Sequence, residues 1–214
     1  MTSKAAVNRI IETLKGIYPD GLCSLQYKKD YELLFAVRLS AQCTDERVNK
    51  VTPALYARFP TLESFAEADP AEVGEYIHSC GFYNGKARDI VACAQKLVNE
   101  YGGRGPGTME ELTGLPGVGR KTANLILGDV FGQPAYVCDT HCIRITGRLG
   151  ITDGSKDPLQ VERQLRERIP PKESNNFCHR MVLFGRDTCT ARSPKCEGCP
   201  LAKDCDTAKA ARRG

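Results

Sequence analysis

An all-α architecture of about ten short helices is predicted for this 214-residue chain by three features of its sequence. Apolar residues recur at every third or fourth position, the period of a helix face. Strand-type alternation is nearly absent. Capping residues, prolines and glycines punctuate the apolar runs at short intervals. The length admits a sizeable core, in one large or two small domains. No stretch of about 18 apolar residues occurs, which argues against a membrane span. The start, Met1-Thr2-Ser3-Lys4, lacks the apolar block of a signal peptide, so a cytoplasmic chain is expected. A net charge of +4 is compatible with nucleic acid without demanding it. Eleven cysteines without a signal peptide point to metal binding or plain burial rather than disulfides.

The elements follow in order. Val7, Ile10, Ile11, Leu14 and Ile17 have helical spacing, and Tyr18-Pro19-Asp20-Gly21 stops them. Tyr31, Leu34 and Val37 mark a second helix after Asp30, and Thr44-Asp45 caps a third. Thr52-Pro53 and Asp69-Pro70 each read as a helix start, with proline at the first helical position. Asn84 caps a long helix with the stripe Ala87, Ile90, Val91, Ala94, Leu97, Val98 and Tyr101, ended by Gly102-Gly103. Thr108 and Glu111 form a capping box. Asp139-Thr140 opens another helix, and the loop Asp153 to Pro158 caps the next. Pro170-Pro171 precedes a last helix through Phe177, Met181, Val182 and Phe184. A boundary near Phe131-Gly132-Gln133-Pro134 divides the chain into residues 23–133 and residues 1–22 plus 134–214.

Two local patterns carry chemistry. Leu115-Pro116-Gly117-Val118-Gly119-Arg120-Lys121-Thr122 joins two helical patterns. Pro116 stiffens the turn, while Gly117 and Gly119 permit close approach and positive φ. The N–H groups of the next helix then suit a phosphate oxygen, a contact that fixes register without reading bases. The plain alternative is an ordinary helical hairpin turn. The second pattern is Cys189, Cys196, Cys199 and Cys205, in the spacing C-x6-C-x2-C-x5-C. It can converge on one inorganic centre, and it differs from the twin C-x2-C of zinc ribbons and from ferredoxin spacings. Zinc, or four unliganded thiols, remain open on spacing alone. Few large apolar residues lie in the segment, so a metal must supply its folding energy.

The octapeptide, Val137-Cys138-Asp139-Thr140-His141, Ser40-Ala41-Gln42, Gly81-Phe82-Tyr83-Asn84-Gly85-Lys86-Ala87 and the cysteine loop together resemble the endonuclease III branch of the helix-hairpin-helix DNA glycosylases. The resemblance runs from Leu39 to Cys205. It implies a two-lobed all-α fold, with the hairpin near 115–121 in a helical barrel domain and a cluster loop at 189–205. It implies a [4Fe–4S] cluster on Cys189, Cys196, Cys199 and Cys205. It implies base excision repair by a bifunctional glycosylase that removes oxidised pyrimidines from double-stranded DNA and cleaves abasic sites by β-elimination. A monomer is expected, in the cytoplasm, with the nucleoid if the source is bacterial.

Residue roles carry over at matching positions. Lys121 is the expected nucleophile and Asp139 its carboxylate partner; the alternatives are a phosphate-contacting lysine and a helix N-cap. An ammonium cannot attack, so burial or the helix N-terminus must favour the neutral amine. Gln42 and Phe82 are expected to fill the hole left by the extruded base, where the family usually has leucine at the second place. The alternatives are a surface glutamine and a core aromatic. Leu115, Gly117 and Gly119 are expected at the DNA backbone, and His141 at a phosphate or the damaged strand; Arg192 and Lys195 offer cations to phosphates from the cluster loop. The alternatives are a satisfied structural histidine and a solvated charged loop. Cys43, Cys138 and Cys142 read as packing residues. A monofunctional adenine glycosylase is disfavoured by Lys121 and by the chain's end soon after Cys205. A non-enzymatic DNA-binding or redox-sensing module is the rival from another class.

Overall fold

A computed structural model describes residues 1–211; residues 212–214, the end of the second expected domain, lie outside the described residues. The described residues form α-helices and 3-10 turns, with no strand among them. Twelve α-helices occur among the described residues, and the short helices Leu62–Ala66 and Asp206–Ala211 are the ones the pattern did not suggest. No helix among the described residues is long and apolar enough to cross a membrane. The chain divides into two compact units, residues Cys23–Gly132 and residues Met1–Leu22 with Gln133–Gly214.

The continuous unit contains α2 (Asp30–Ser40), α3 (Asp45–Arg58), α4 (Leu62–Ala66), α5 (Pro70–Ile77), α6 (Tyr83–Tyr101), α7 (Met109–Thr113) and α8 (Arg120–Asp129). Helix α2 lies at its centre: Leu33, Leu34, Phe35, Ala36, Val37 and Leu39 are all buried. A helix apolar on every side has to be enclosed by its neighbours. Phe35 and Phe59 close on Phe65, with centroids at 4.9 and 5.1 Å. Each fully buried phenylalanine stabilises the unit by roughly 1.5–3 kcal/mol. Buried Ala87, Ile90, Val91, Ala94 and Leu97 of α6 continue this core. Gly102 ends α6 in left-handed backbone (φ 58°).

Two expected helix starts differ. Thr52-Pro53 lies inside α3, not at a helix start. Buried Val48, Thr52 and Leu55 flank the proline at helical spacing, so packing carries the helix through the missing N–H. Helix α6 is entered from Phe82, not capped by Asn84. Phe82 has φ 48°, and this sharp backbone reversal starts the helix without a side-chain cap. Thr108 caps α7 as expected, although its hydroxyl donates to the Glu111 carboxylate at 2.6 Å instead of completing a reciprocal box.

The discontinuous unit holds α1 (Lys4–Ile17), α9 (Thr140–Arg148), α10 (Pro158–Arg168), α11 (Ser174–Asp187) and α12 (Asp206–Ala211). Helix α1 buries Val7, Ile10, Ile11 and Leu14, whereas Ile17 is exposed. Helix α11 supplies Phe177, Met181 and Phe184. Buried Arg180 of α11 donates to the carbonyls of Tyr18 and Pro19 at 2.9 Å each, which fixes the chain as it leaves α1. Asp157 caps α10 ahead of Pro158.

Candidate active site and metal centre

The hairpin turn rests on an ion pair. Gly117 has φ 73°, and a Cβ there would sit 2.9 Å from Asp89 Cβ and 3.0 Å from Arg38 Cδ. Beneath it Arg38 Nε donates to Asp89 Oδ2 at 2.7 Å. The turn thus needs glycine twice over, for its left-handed backbone and for its close approach. Replacing Gly117 with alanine is expected to cost about 1–3 kcal/mol and to weaken binding to an abasic-analogue duplex. Thermal unfolding and a binding titration check it, and an unchanged Tm with unchanged affinity would contradict the assignment.

Gly119 is different: its backbone is extended (φ −95°, ψ 175°) and nothing would meet its Cβ, so the expected positive φ is not used. It is the N-cap of α8 and brings no side chain to that helix end. Leu115 supports the turn from inside. Its side chain is 3 % exposed, its N–H donates to Leu112 O and its carbonyl accepts from Val118 N, both at 3.1 Å. It anchors the hairpin to the core and offers no side chain to DNA, because an apolar residue closing a turn gains more by burial. Lys121, in the first turn of α8, is exposed. Of the two means expected to favour the neutral amine, burial is not provided by the protein, and the first-turn position at the helix N-terminus is.

Gln42 and Phe82 share a second region of the same unit. Both are exposed, Phe82 at 73 %, which excludes a core aromatic, and both have positive φ, 55° and 48°. The buried Lys86 Nζ donates to Leu39 O at 2.8 Å and to Cys80 O at 2.9 Å. Desolvation pushes the Lys86 ammonium down from its usual range. Burial, then the neighbouring Cys43 thiol, pushes the Cys80 thiol up to about 11. Nothing in the apolar periodicity marks Lys86, since a lysine reads as surface in any helical pattern.

In the other unit Asp139 caps α9: its Oδ1 accepts from Cys142 N at 2.7 Å. The N-cap reading of Asp139 is therefore realised, and the carboxylate remains half-buried at the helix mouth. One turn on, His141 Nδ1 lies 3.2 Å from Arg144 Nη2. Gly185 of α11 has no room for a Cβ because His141 and Arg144 lie over it. Cys138, Cys142 and Cys178 form a buried thiol group here. Hydrogen bonding with Cys138 and then Cys178 raises the Cys142 thiol well above its usual range, which keeps it protonated and inert.

The C-terminal end of α9 grips the cysteine loop. Arg144 Nη2 donates to Cys189 O at 2.9 Å. Arg148 Nη1 reaches Cys189 Sγ at 3.3 Å and Thr190 O at 2.7 Å, and its Nη2 reaches Ala191 O at 2.9 Å. The spacing of cysteines revealed the loop; nothing local revealed these arginines, whose partners lie some 40 residues on. Cys189, Cys196, Cys199 and Cys205 line one cavity of about 120 Å³ together with Leu149, Phe184 and Ala202. Among the described residues, these four do not form a group whose ligand atoms all lie within 4.8 Å of one another. A single tetrahedral zinc would draw its sulfurs to about 3.8 Å of one another. A four-iron cluster takes one thiolate per iron around a wider body, and the all-thiol donor set and the cavity fit it. Arg192 and Lys195 are both exposed between the first two cysteines.

Comparison with known proteins gives a consistent picture. The family model for HhH-GPD superfamily base excision DNA repair proteins matches residues 35–171, and that for the iron–sulfur binding domain of endonuclease III matches residues 189–205. Endonuclease III of Synechocystis sp. is 46% identical over 210 residues, covering 98% of this chain and 95% of the relative. A solved non-covalent endonuclease III–DNA complex is 40% identical with a TM-score of 0.93, and both chains are covered completely. A trapped endonuclease III–DNA covalent intermediate, an estranged-adenine complex, gives 40% identity, a TM-score of 0.92 and the same coverage.

Proposed function

This chain belongs to the HhH-GPD superfamily of base excision DNA repair proteins, in its endonuclease III branch, and we propose that it excises oxidised pyrimidines from duplex DNA and cleaves the abasic product. The observation that carries the reading is an exposed amine, Lys121, in the first turn of α8, behind a glycine turn that presents a helix N-terminus to a phosphate. The trapped covalent complex of a relative 40% identical supports an enzyme that bonds to its DNA. The protein acts as a monomer, and the four cysteines hold a [4Fe–4S] cluster that orders the loop carrying Arg192 and Lys195.

The chemistry assigned to each residue follows. The target nucleotide leaves the stack, and Gln42 and Phe82 occupy the space it vacates. The neutral Lys121 amine attacks C1′ of the deoxyribose, and the base departs with the glycosidic electron pair and a proton. Asp139 stabilises the oxocarbenium character that builds on the sugar. Opening of the sugar ring leaves an iminium between Lys121 and C1′. Its positive nitrogen acidifies the C2′ proton, whose removal expels the 3′ phosphate. Hydrolysis of the iminium frees the enzyme. Hence one nucleophile serves both base removal and strand cleavage.

Incubation with a duplex containing one abasic site tests the reading directly. Strand scission, with a borohydride-stable adduct, is expected; binding without scission would favour a binding module instead. Asp139→Asn separates chemistry from folding. Asparagine caps as well as aspartate, so thermal stability should hold within about 0.5 kcal/mol. Loss of the charge should lower kcat on a lesion duplex roughly 10²–10³-fold. Asp139→Ala should add a cap loss of about 1 kcal/mol. Undiminished turnover in Asp139→Asn would remove the carboxylate from the reaction.

A further inference from the structure

Among the described residues, Gln42 and Phe82 are the two non-glycine residues with left-handed backbone, at φ 55° and 48°. Such a conformation is strained for a residue with a Cβ and persists only where its surroundings impose it. Neither side chain supplies that restraint, since both are exposed. The restraint comes from below. Lys86 is 1 % exposed, and its Nζ donates to the carbonyl of Leu39, three residues before Gln42, and to that of Cys80, two residues before Phe82. A buried ammonium is costly to desolvate, and two carbonyls offset only part of that cost. An apolar side chain would fill the same space at less cost. The cation does what an apolar side chain cannot: it joins the roots of the two loops at one atom, beneath the contact between the Cys43 and Cys80 thiols.

We propose that Lys86 is a positioning residue which holds Gln42 and Phe82 in register, so that both tips enter the duplex together at the extruded nucleotide. The proposal rests on the reading above that these tips meet DNA. It adds that their spacing is set by one buried ammonium, and that base removal depends on it while the amine chemistry does not.

The test is Lys86→Met, which keeps length and removes the donors, assayed on two duplexes beside Phe82→Ala. The first duplex carries an oxidised pyrimidine opposite a normal base. In the second an abasic site faces another abasic site, so no orphaned base remains to be filled in. Lys86→Met and Phe82→Ala are both expected to slow base removal about 10–100-fold on the first. Strand cleavage on the second should fall clearly less than base removal on the first for both. Thermal unfolding verifies that the variants are folded; should Lys86→Met not fold, Lys86→Gln, which keeps one donor, is read by the same comparison. Slow base removal in Phe82→Ala with normal removal in the lysine variant overturns the proposal while the tips stay assigned. Normal removal in Phe82→Ala overturns the tip reading and the proposal with it. An equal fall on both duplexes means general damage to the fold, and also overturns it.

Discussion

Lys121→Gln should leave a folded protein that binds abasic duplex but neither cleaves it nor forms a borohydride-stable adduct. The expectation rests on where the residue lies. Lys121 is exposed in the first turn of α8, so its side chain contributes little to the core. Glutamine has nearly the helix propensity of lysine, and stability should change by less than about 0.5 kcal/mol. In the proposed reaction the amine, by contrast, makes the bond on which both base removal and β-elimination depend. Removing a nucleophile lowers turnover by roughly 10³-fold or more. Binding should weaken only a few-fold, because one cation is lost while the hairpin's backbone donors remain. Single-turnover cleavage, borohydride trapping and a thermal melt measure the three quantities. Trapping at the wild-type rate in the purified variant would sink the nucleophile assignment.

The ends of elements were legible in the sequence because capping is local. Asp69 before Pro70, Asp139 before Thr140 and Asp157 before Pro158 each satisfy an orphan N–H with a side chain two or three residues away. The cysteine loop was legible for a similar reason: its spacing is a property of one short segment. What escaped was set by distant partners. Pro53 looked like a helix start until the burial of Val48 and Leu55 on either side of it showed a helix held through by packing. Leu115 closes the hairpin turn from inside, which its place in the motif does not reveal. Arg38 and Asp89, 51 residues apart in the chain, form the floor of the hairpin. Arg148 reaches a cysteine 41 residues on. No spacing rule links such pairs, since long side chains find their partners only after the helices have packed.

The cysteine loop gives the other large expected effect. Residues 189–205 contain no helix or strand and bury only Leu201 and Ala202. Ordering such a segment costs about 1–2 kcal/mol per residue in backbone entropy, far more than two small apolar contacts return. The hydrogen bonds from Arg144 and Arg148 hold its first three residues, and Arg9 holds Asp204 at 2.6 Å near its end, so the stretch between them depends most on the metal. Cys205 is the last of the four cysteines proposed as ligands, so Cys205→Ala should release the cluster and let the loop go slack. Iron content and visible colour should fall, and limited proteolysis should open a new cleavage site within residues 189–205. The far-ultraviolet helix signal should change little, because the loop contributes none of it. Affinity for duplex should drop about 10-fold at moderate salt and its salt dependence should flatten, as Arg192 and Lys195 no longer face phosphates from a fixed frame. A variant that has lost its iron yet keeps a protease-resistant loop and full affinity would show that protein contacts alone order the segment, and would reduce the cluster to a passenger in DNA binding.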